Sequence, residues 1–251
     1  MRGGGHGDRA DGDGGGEHGE RVPGPALSHE VSSCWGAATG ASLSGATGRV
    51  GSAAVLVAVC ADVHLHVTRL ARVAALAREE GAEELWCLGD VVDALLGAPP
   101  AVLADAVARA TDLCDLVLAG NHELWALQRG LFDAATAAAV QDWSAVEERH
   151  GVGLVHGSLD DPYLEFVTTP LQAGRLLRAA PGWLALHGHT HTRRLWAATD
   201  TAPHARKLAT RGVVRAGEER LLACPGALTG SRPSWLLVDL RERTLEWRPL
   251  R

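Results

Sequence analysis

Lysine is scarce in this sequence, and its net charge is negative. Lys207 is the only lysine, so the other basic residues are arginines, and the formal net charge of the 251 residues is −6. This balance argues against nonspecific nucleic-acid binding, which requires a basic face. No apolar run is long enough to span a membrane as a helix. We therefore expect neither stable nucleic-acid binding nor a membrane segment.

Cysteine pairs of the Cys-x-x-Cys type are also missing, and we expect no signal peptide. The five cysteines include no Cys-x-x-Cys pair, and Cys60, Cys87 and Cys114 each lie inside an apolar run, as small buried side chains do. The N-terminal segment is Gly-rich and acidic, whereas a signal peptide begins with a short basic region. These features predict a cytoplasmic protein with reduced thiols.

The composition changes near residue 50. Residues 1–50 are rich in small and polar residues and show neither the period of a strand nor that of a helix. Such a segment buries too little apolar surface to offset the entropy of ordering it, so we expect a disordered Gly-rich N-terminal tail. We expect residues 51–251 to form a single domain.

From Ala53 onward, strand and helix patterns alternate. We predict strands over Ala53–Cys60, Glu84–Leu88, Asp115–Ala119, Gly153–His156 and Trp183–His187. We predict helices over Val67–Glu80, Pro100–Thr111, Asp133–His150 and Leu171–Ala179. Only strand-like runs follow, at Arg194–Ala198, Arg220–Cys224, Ser234–Leu240 and Thr244–Arg248. This order suggests two packed β-sheets with helices outside, an α/β fold.

Five short motifs carry metal-binding side chains, and each follows an apolar run. They are Asp62-Val63-His64, Gly89-Asp90-Val91-Val92-Asp93, Gly120-Asn121-His122-Glu123, His156-Gly157 and His187-Gly188-His189-Thr190-His191. Ligands of open α/β sheets collect beyond the carboxyl ends of the strands, where these motifs are expected. Asp62 and His64 are two residues apart, so both can point to one side of an extended segment. Oxygen and imidazole donors in this mixture suit two divalent ions and the hydrolysis of a phosphate ester.

Taken singly, each motif has an ordinary structural explanation. Asp-x-His is usually a loop cap, and Gly-Asp after a strand is often a turn. A single histidine such as His156 is more often a hydrogen-bonded core residue than a ligand. The occurrence of all five motifs in this order favours the metal site.

The five motifs together resemble the calcineurin-like metallophosphoesterase superfamily, over roughly Val55 to Asp239. His156-Gly157-Ser158 with Asp161-Pro162, and Cys224-Pro225-Gly226, are similar to patterns of small bacterial phosphodiesterases of the YfcE type. The resemblance implies a four-layer αββα sandwich of two mixed β-sheets flanked by helices. It also implies a small phosphate-ester substrate and two divalent metal ions, with Mn expected and Fe, Zn, Co or Ni as alternatives.

The same resemblance implies roles for individual residues. One metal ion would be held by Asp62, His64 and His191, a second by Asn121, His156 and His189, with Asp90 bridging the two. His122 resembles a histidine that is not a ligand and that stabilises or protonates the leaving group. Asp93 resembles the carboxylate that orients this histidine, with a helix N-cap as its alternative role. The implied reaction is hydrolysis by a hydroxide that bridges the metals, with phosphodiesters as the expected substrates.

Departures from the family pattern bear on the substrate. Leu65-His66 follows the first motif where Gly-Asn is frequent, and the second motif lacks the Asp-Arg-Gly ending of the protein phosphatases. The missing ending counts against a phosphoprotein substrate. Two other functions stay open: a protein-binding scaffold, against which the presence of His122 argues, and a pyrophosphatase that acts on nucleotides or sugar nucleotides.

For several polar residues beside the motifs, the sequence predicts a role less specifically. We expect His66 to cap the following helix, with a side chain that faces the pocket as the alternative. We expect His187 to be structural, and Glu123 to begin a helix or support the site. Arg193 and Arg194 follow the last motif and could meet a substrate phosphate, although solvation at the surface is commoner. Cys224 stands where the family often has Asn, and it has no assigned role.

Overall fold

The computed structural model describes residues 55–251, which form twelve strands and five helices. The strands are β1 Leu56–Cys60, β2 Glu84–Cys87, β3 Leu116–Val117, β4 Val146–Arg149, β5 Val152–Val155, β6 Leu184–His187, β7 Arg194–Ala198, β8 Arg206–Lys207, β9 Val213–Arg215, β10 Arg220–Cys224, β11 Ser234–Asp239 and β12 Thr244–Pro249. The helices are α1 Val67–Glu79, α2 Pro100–Leu113, α3 Asn121–Gln128, α4 Ala134–Gln141 and α5 Pro170–Ala179. The predicted tail lies outside the described residues.

The strands form two mixed sheets, and helices cover the outer face of each. One sheet has the order β3-β2-β1-β11-β12-β9 and the other the order β4-β5-β6-β10-β7-β8. Leu70 of α1 and Leu103 of α2 pack on the first sheet, and Leu176 and Leu177 of α5 pack on the second. A third apolar core lies between the sheets. This architecture confirms the predicted sandwich of two mixed sheets flanked by helices.

Strand β1 shows why an unbroken apolar run precedes the first motif. Val57 and Val59 face the core between the sheets, whereas Ala58 and Cys60 face the helices. Successive side chains of a strand point to opposite faces, so a strand covered on both sides needs apolar residues throughout. The run ends where the chain leaves the sheet, and the next polar residue, Asp62, lies at the carboxyl end of the strand.

The long helix predicted over Asp133–His150 is wrong beyond its first half. The helix ends at Gln141, and Val146–Arg149 forms β4, which pairs antiparallel with β5. His150 and Gly151 form the connecting turn with φ of 53° and 75°. Two such residues are typical of a type I′ hairpin turn. The hydrogen bonds that β5 offers at its edge outweigh the local helical period, which a sequence pattern does not reveal.

Three further elements were not predicted, namely α3, β8 and β9. Helix α3 begins at Asn121 itself, inside the third motif. The remaining predicted helices and strands within the described residues are present, with ends shifted by a few residues. No helix of residues 55–251 is both long enough and apolar enough to cross a membrane.

Candidate metal centre

The carboxyl ends of five strands bring the predicted residues together. Asp62 follows β1, Asp90 follows β2, Asn121 follows β3, His156 follows β5, and His189 and His191 follow β6. Backbone hydrogen bonds join neighbouring loops: the Asp62 N–H donates to the Gly89 carbonyl at 3.0 Å, and the Gly188 N–H donates to the His156 carbonyl at 2.9 Å. The site therefore receives residues from both sheets.

The backbone is left-handed at most of the candidate ligands. Eight non-glycine residues of the described range have a positive φ, and five of them are predicted ligands: Asp62, His64, Asp90, His189 and His191. Side chains disfavour this conformation, and such strain concentrates at functional sites. The sharp turns direct side chains from different loops toward one point.

Two of the three clusters of potential metal donors in the described part of the chain share Asp90. One contains Asp62, His64, Asp90 and His191, the other contains Asp90, His156 and His189, and the donor atoms of each lie within 4.8 Å of one another. Asn121, the only asparagine of the chain, extends the second cluster, because its Oδ1 lies 3.1 Å from His156 Nε2. The structure thus brings all seven predicted ligands together.

The second cluster requires a proton or a cation beside His156. Its Nδ1 donates to the Leu88 carbonyl at 2.7 Å, so Nε2 of the neutral ring carries a lone pair. That lone pair faces Asp90 Oδ2 at 3.3 Å and Asn121 Oδ1 at 3.1 Å, and both of these oxygens are acceptors. A divalent metal ion between the three atoms fits this donor set.

The first cluster has the same character. His64 Nε2 and His191 Nε2 lie 3.0 Å apart, and His191 Nε2 lies 3.6 Å from Asp62 Oδ1. Oδ2 of the buried Asp62 has no hydrogen-bond partner in the described part of the chain. A buried carboxylate oxygen without a partner is costly. A metal ion would satisfy this oxygen and both imidazoles.

Burial and charge set the protonation of these groups. Burial lowers the pKa of His64 and of His189 to about 4, which leaves both imidazoles neutral, as metal ligands must be. Burial opposes the charge of Asp90, but the positive charge and hydrogen bond of His156 hold the pKa of Asp90 below its ordinary value. Burial also opposes protonation of His156, yet the negative charge of Asp90 outweighs it and raises the pKa of His156 to about 10. Positive charge is thus strongly favoured between the two clusters.

Asp93 lies between two imidazoles. Its Oδ2 is 3.3 Å from His64 Nδ1, and its Oδ1 is 3.4 Å from His122 Nδ1. The Ala94 N–H donates to His122 Nδ1 at 3.1 Å, which leaves Nε2 as the protonated nitrogen of the neutral ring. Asp93 does not cap a helix, since its carboxylate accepts from the Leu95 N–H at 2.9 Å and α2 begins several residues later.

Glu123 supports the site by hydrogen bonds to the backbone of the second and third motifs. Its buried carboxylate accepts from the Asp90 and Gly120 N–H groups at 2.9 and 2.8 Å through Oε2, and from the Val92 N–H at 2.9 Å through Oε1. Burial and the negative charge of Asp90 raise the pKa of Glu123 to about 7. The expectation that Glu123 begins a helix or supports the site is confirmed, because it lies in the first turn of α3 and ties the second motif to the third.

Gly120 permits the close approach of these two motifs. A Cβ atom on Gly120 would lie 2.6 Å from the Asp90 backbone nitrogen and would also overlap the Asp90 carboxylate. Real Cβ atoms essentially never come this close to another atom. The third motif therefore needs glycine for space.

The predictions for the polar residues beside the motifs agree with the structure to different degrees. His66 is the N-cap residue of α1, as predicted, but its exposed side chain makes no capping hydrogen bond within the described residues. His187 is fully buried in β6, and burial lowers its pKa to about 3. The Cys224 thiol accepts from the Thr190 hydroxyl at 3.4 Å and thereby holds the loop between two candidate ligands. Arg193 and Arg194 are both partly buried.

Two residues that sequence reasoning missed contact the second cluster. The Leu164 carbonyl accepts from His189 Nε2 at 3.2 Å, which leaves His189 Nδ1 as the nitrogen free for a metal. The Phe166 ring stacks on His189 with ring centroids 3.9 Å apart and planes at 20°. A backbone carbonyl acceptor has no sequence signature, so the first contact was not predictable.

Comparison with known proteins decides the family. The family model for the calcineurin-like phosphoesterase superfamily domain matches residues 55–243. The chain belongs to the calcineurin-like phosphoesterase superfamily. Its membership confirms the resemblance read from the five motifs, and it supports phosphoester hydrolysis in general. Among curated proteins, none matches the chain.

Several solved structures of other proteins are similar to this chain. A metallophosphoesterase from Sphaerobacter thermophilus is 18% identical with a TM-score of 0.65, and the match covers 79% of this chain and 89% of that one. A hypothetical protein from Pyrococcus horikoshii is 15% identical with a TM-score of 0.52, covering 78% of this chain and 88% of that one. The E. coli phosphoesterase YfcE is 17% identical with a TM-score of 0.43, covering 78% and 100%. At these identities the likeness concerns the fold alone.

Proposed function

We propose that the protein is a dinuclear metal-dependent phosphoesterase that acts preferentially on phosphodiesters. The observation that carries this proposal is the pair of donor clusters that share Asp90. One ion would be held by Asp62, His64 and His191, the other by Asn121, His156 and His189, with Asp90 between them. Mn is the expected metal, and Fe, Zn, Co or Ni would suit the same donors. We assign the activity to residues 51–251 as a single domain.

The chemistry divides between the metals and the side chains. Two bound divalent ions would lower the pKa of a water molecule and offset negative charge on the phosphate. His122 holds a proton at Nε2, because its Nδ1 accepts from a backbone N–H, and this proton can pass to the leaving oxygen. Asp93 would orient His64, since its Oδ2 lies 3.3 Å from His64 Nδ1, and it lies beside His122, whose Nδ1 accepts from the Ala94 N–H.

Turnover of simple esters tests the activity. The full chain would be loaded with Mn²⁺, its metal content measured, and its rate compared on bis-p-nitrophenyl phosphate and p-nitrophenyl phosphate. We expect hydrolysis of both, with preference for the diester. Metal-loaded protein that turns over neither ester would contradict the proposal and favour a protein-binding scaffold.

The role of Asn121 is tested by metal content as well as by rate. Asn121→Ala removes the amide oxygen that faces His156, so we expect loss of about one metal ion per chain and a collapse of turnover. Asn121→Asp restores an oxygen donor and should regain metal. Full metal content in Asn121→Ala would remove Asn121 from the ligand set.

The role of His122 is tested by the leaving group. His122→Ala should lower kcat roughly 10²-fold or more, with a larger loss for esters of poorly acidic alcohols, because those need protonation most. Its metal content should stay unchanged. His204→Ala, on an exposed histidine, is the matched control. A loss independent of the leaving group would refute proton donation.

A further inference from the structure

The chain between His156 and α5 forms a tightly bonded loop beside the second cluster. The Gly157 N–H donates to the Pro162 carbonyl at 2.7 Å, which closes the loop on itself. Glu165 accepts from the Gln172 side chain of α5 at 2.9 Å, which fixes the end of the loop to the helix. The residues at that end are therefore held in place in the free protein.

This loop presents an apolar, aromatic surface at the rim of the site. Phe166 covers His189 with one face of its ring, at a centroid distance of 3.9 Å, yet 51% of the residue is exposed. Leu164, two residues earlier, is 46% exposed although its carbonyl contacts His189. The ring of Phe166 thus combines a fixed position against a candidate metal ligand with apolar surface that a ligand can cover, which would be favourable.

Phe166 and His122 lie beside different parts of the candidate centre. The His122 ring packs on His64, with centroids 4.5 Å apart, whereas Phe166 packs on His189 of the other cluster. If the leaving oxygen of a phosphate ester is directed at His122, beside the first cluster, the other ester group can lie on the side of the second cluster, where Phe166 is. In that arrangement the group at Phe166 is the one that stays on phosphorus.

We propose that Phe166, with Leu164 beside it, forms a stacking subsite for a nucleobase on the retained ester group. This inference rests on the proposed function and names the substrate class of the same site: phosphodiesters of nucleosides. A flat ring face favours a planar partner over an alkyl chain, and every base has such a face. The subsite acts on binding, and it leaves the bond cleavage to the metal centre.

Two diesters with one leaving group test the subsite. They are thymidine 5′-(4-nitrophenyl phosphate) and methyl 4-nitrophenyl phosphate. In both, water adds to phosphorus, the bond to 4-nitrophenolate breaks, and thymidine 5′-phosphate or methyl phosphate remains. We expect the kcat/KM ratio of the thymidine ester to the methyl ester to be about 10 or more in the wild type. The ratio should fall roughly tenfold in Phe166→Leu, since stacking of a base on an aromatic ring is worth about that factor.

Control variants separate stacking from a structural effect. Phe166→Tyr keeps the ring and should keep the ratio, and Val213→Ala, at an exposed apolar residue of β9, should leave it unchanged. A shared loss on both esters with an unchanged ratio would mean that Phe166 only packs on His189, and would overturn the subsite. A ratio near 1 in the wild type would overturn it as well.

Binding of the products decides the case even if neither ester is hydrolysed. Absence of turnover refutes the proposed function, while calorimetry of Mn²⁺-loaded protein with thymidine 5′-phosphate and with methyl phosphate still probes the subsite. We expect tighter binding of the nucleotide, and about tenfold weaker binding of it alone in Phe166→Leu. Equal affinities for the two phosphates in the wild type would overturn the subsite.

Discussion

The buried carboxylate of Glu123 offers the sharpest test of how the site is built. It accepts three backbone hydrogen bonds, from Asp90, Val92 and Gly120, at 2.8–2.9 Å. Glu123→Gln has almost the same shape but supplies only one acceptor oxygen. If that oxygen keeps the two donors on the Oε2 side, the new NH₂ group faces the Val92 N–H.

The size of the effect follows from this hydrogen-bond inventory. One hydrogen bond to a charged group is lost, which costs about 1.5–3 kcal/mol, and a buried N–H is left facing another donor. Part of this loss is offset, because burial and the charge of Asp90 already disfavour the ionised form of Glu123. We expect Glu123→Gln to lower the free energy of unfolding by about 2 kcal/mol, or the Tm by roughly 4–8 °C.

Urea unfolding followed by tryptophan fluorescence measures this difference. The experiment is done in EDTA, so that a change in metal affinity does not add to the change in stability. Glu79→Gln, at an exposed position in the last turn of α1, is the matched control and should stay within about 0.5 kcal/mol of the wild type. A Glu123→Gln variant as stable as this control would refute the argument that the three backbone donors need a carboxylate.

Two further substitutions test packing and charge away from the ligands. Gly120→Ala puts a Cβ 2.6 Å from the backbone nitrogen of the second motif and should cost about 1–3 kcal/mol by thermal unfolding, whereas Gly217→Ala, with open space at its Cβ, should cost far less; equal losses would contradict the steric argument. Burial opposes the charge of Glu84, but hydrogen bonds from Arg149 and His150 outweigh it and lower the pKa of Glu84 from 4.5 to about 2. Because the folded pKa is depressed, Glu84→Gln should lose about 1–2 kcal/mol above pH 4.5, after discounting for solvent screening, and the difference should shrink as the pH falls toward 2. A difference that persists unchanged to low pH would contradict it.

Local patterns in the chain were enough to identify the family and the strands that precede the motifs. Apolar runs such as Ala53–Cys60 reflect burial on both faces of a strand, and the polar residue after each run, such as Asp62, marks the point where the chain leaves the sheet. The gathering of the motifs at one site could be predicted because parallel strands present their carboxyl ends at the same edge of a sheet.

Competition between distant segments limited the prediction elsewhere. Residues after Asp142 have an apolar period compatible with a helix, but the open edge of β5 recruits Val146–Arg149 as a strand. The prediction also missed α3, whose start coincides with the polar residues of the third motif. Propensity is a weak prior where pairing with another segment supplies more hydrogen bonds.

The sequence by itself thus reveals which metal-donor side chains this protein has and that they lie at strand ends. It does so because burial on both faces of a strand produces an apolar run in the sequence, and a donor residue follows each run. It does not reveal that Glu123 ties two loops together or that Phe166 lies on His189. Those contacts join side chains and backbone groups far apart in sequence. They exist only after both sheets have packed and the loops have adopted their left-handed turns.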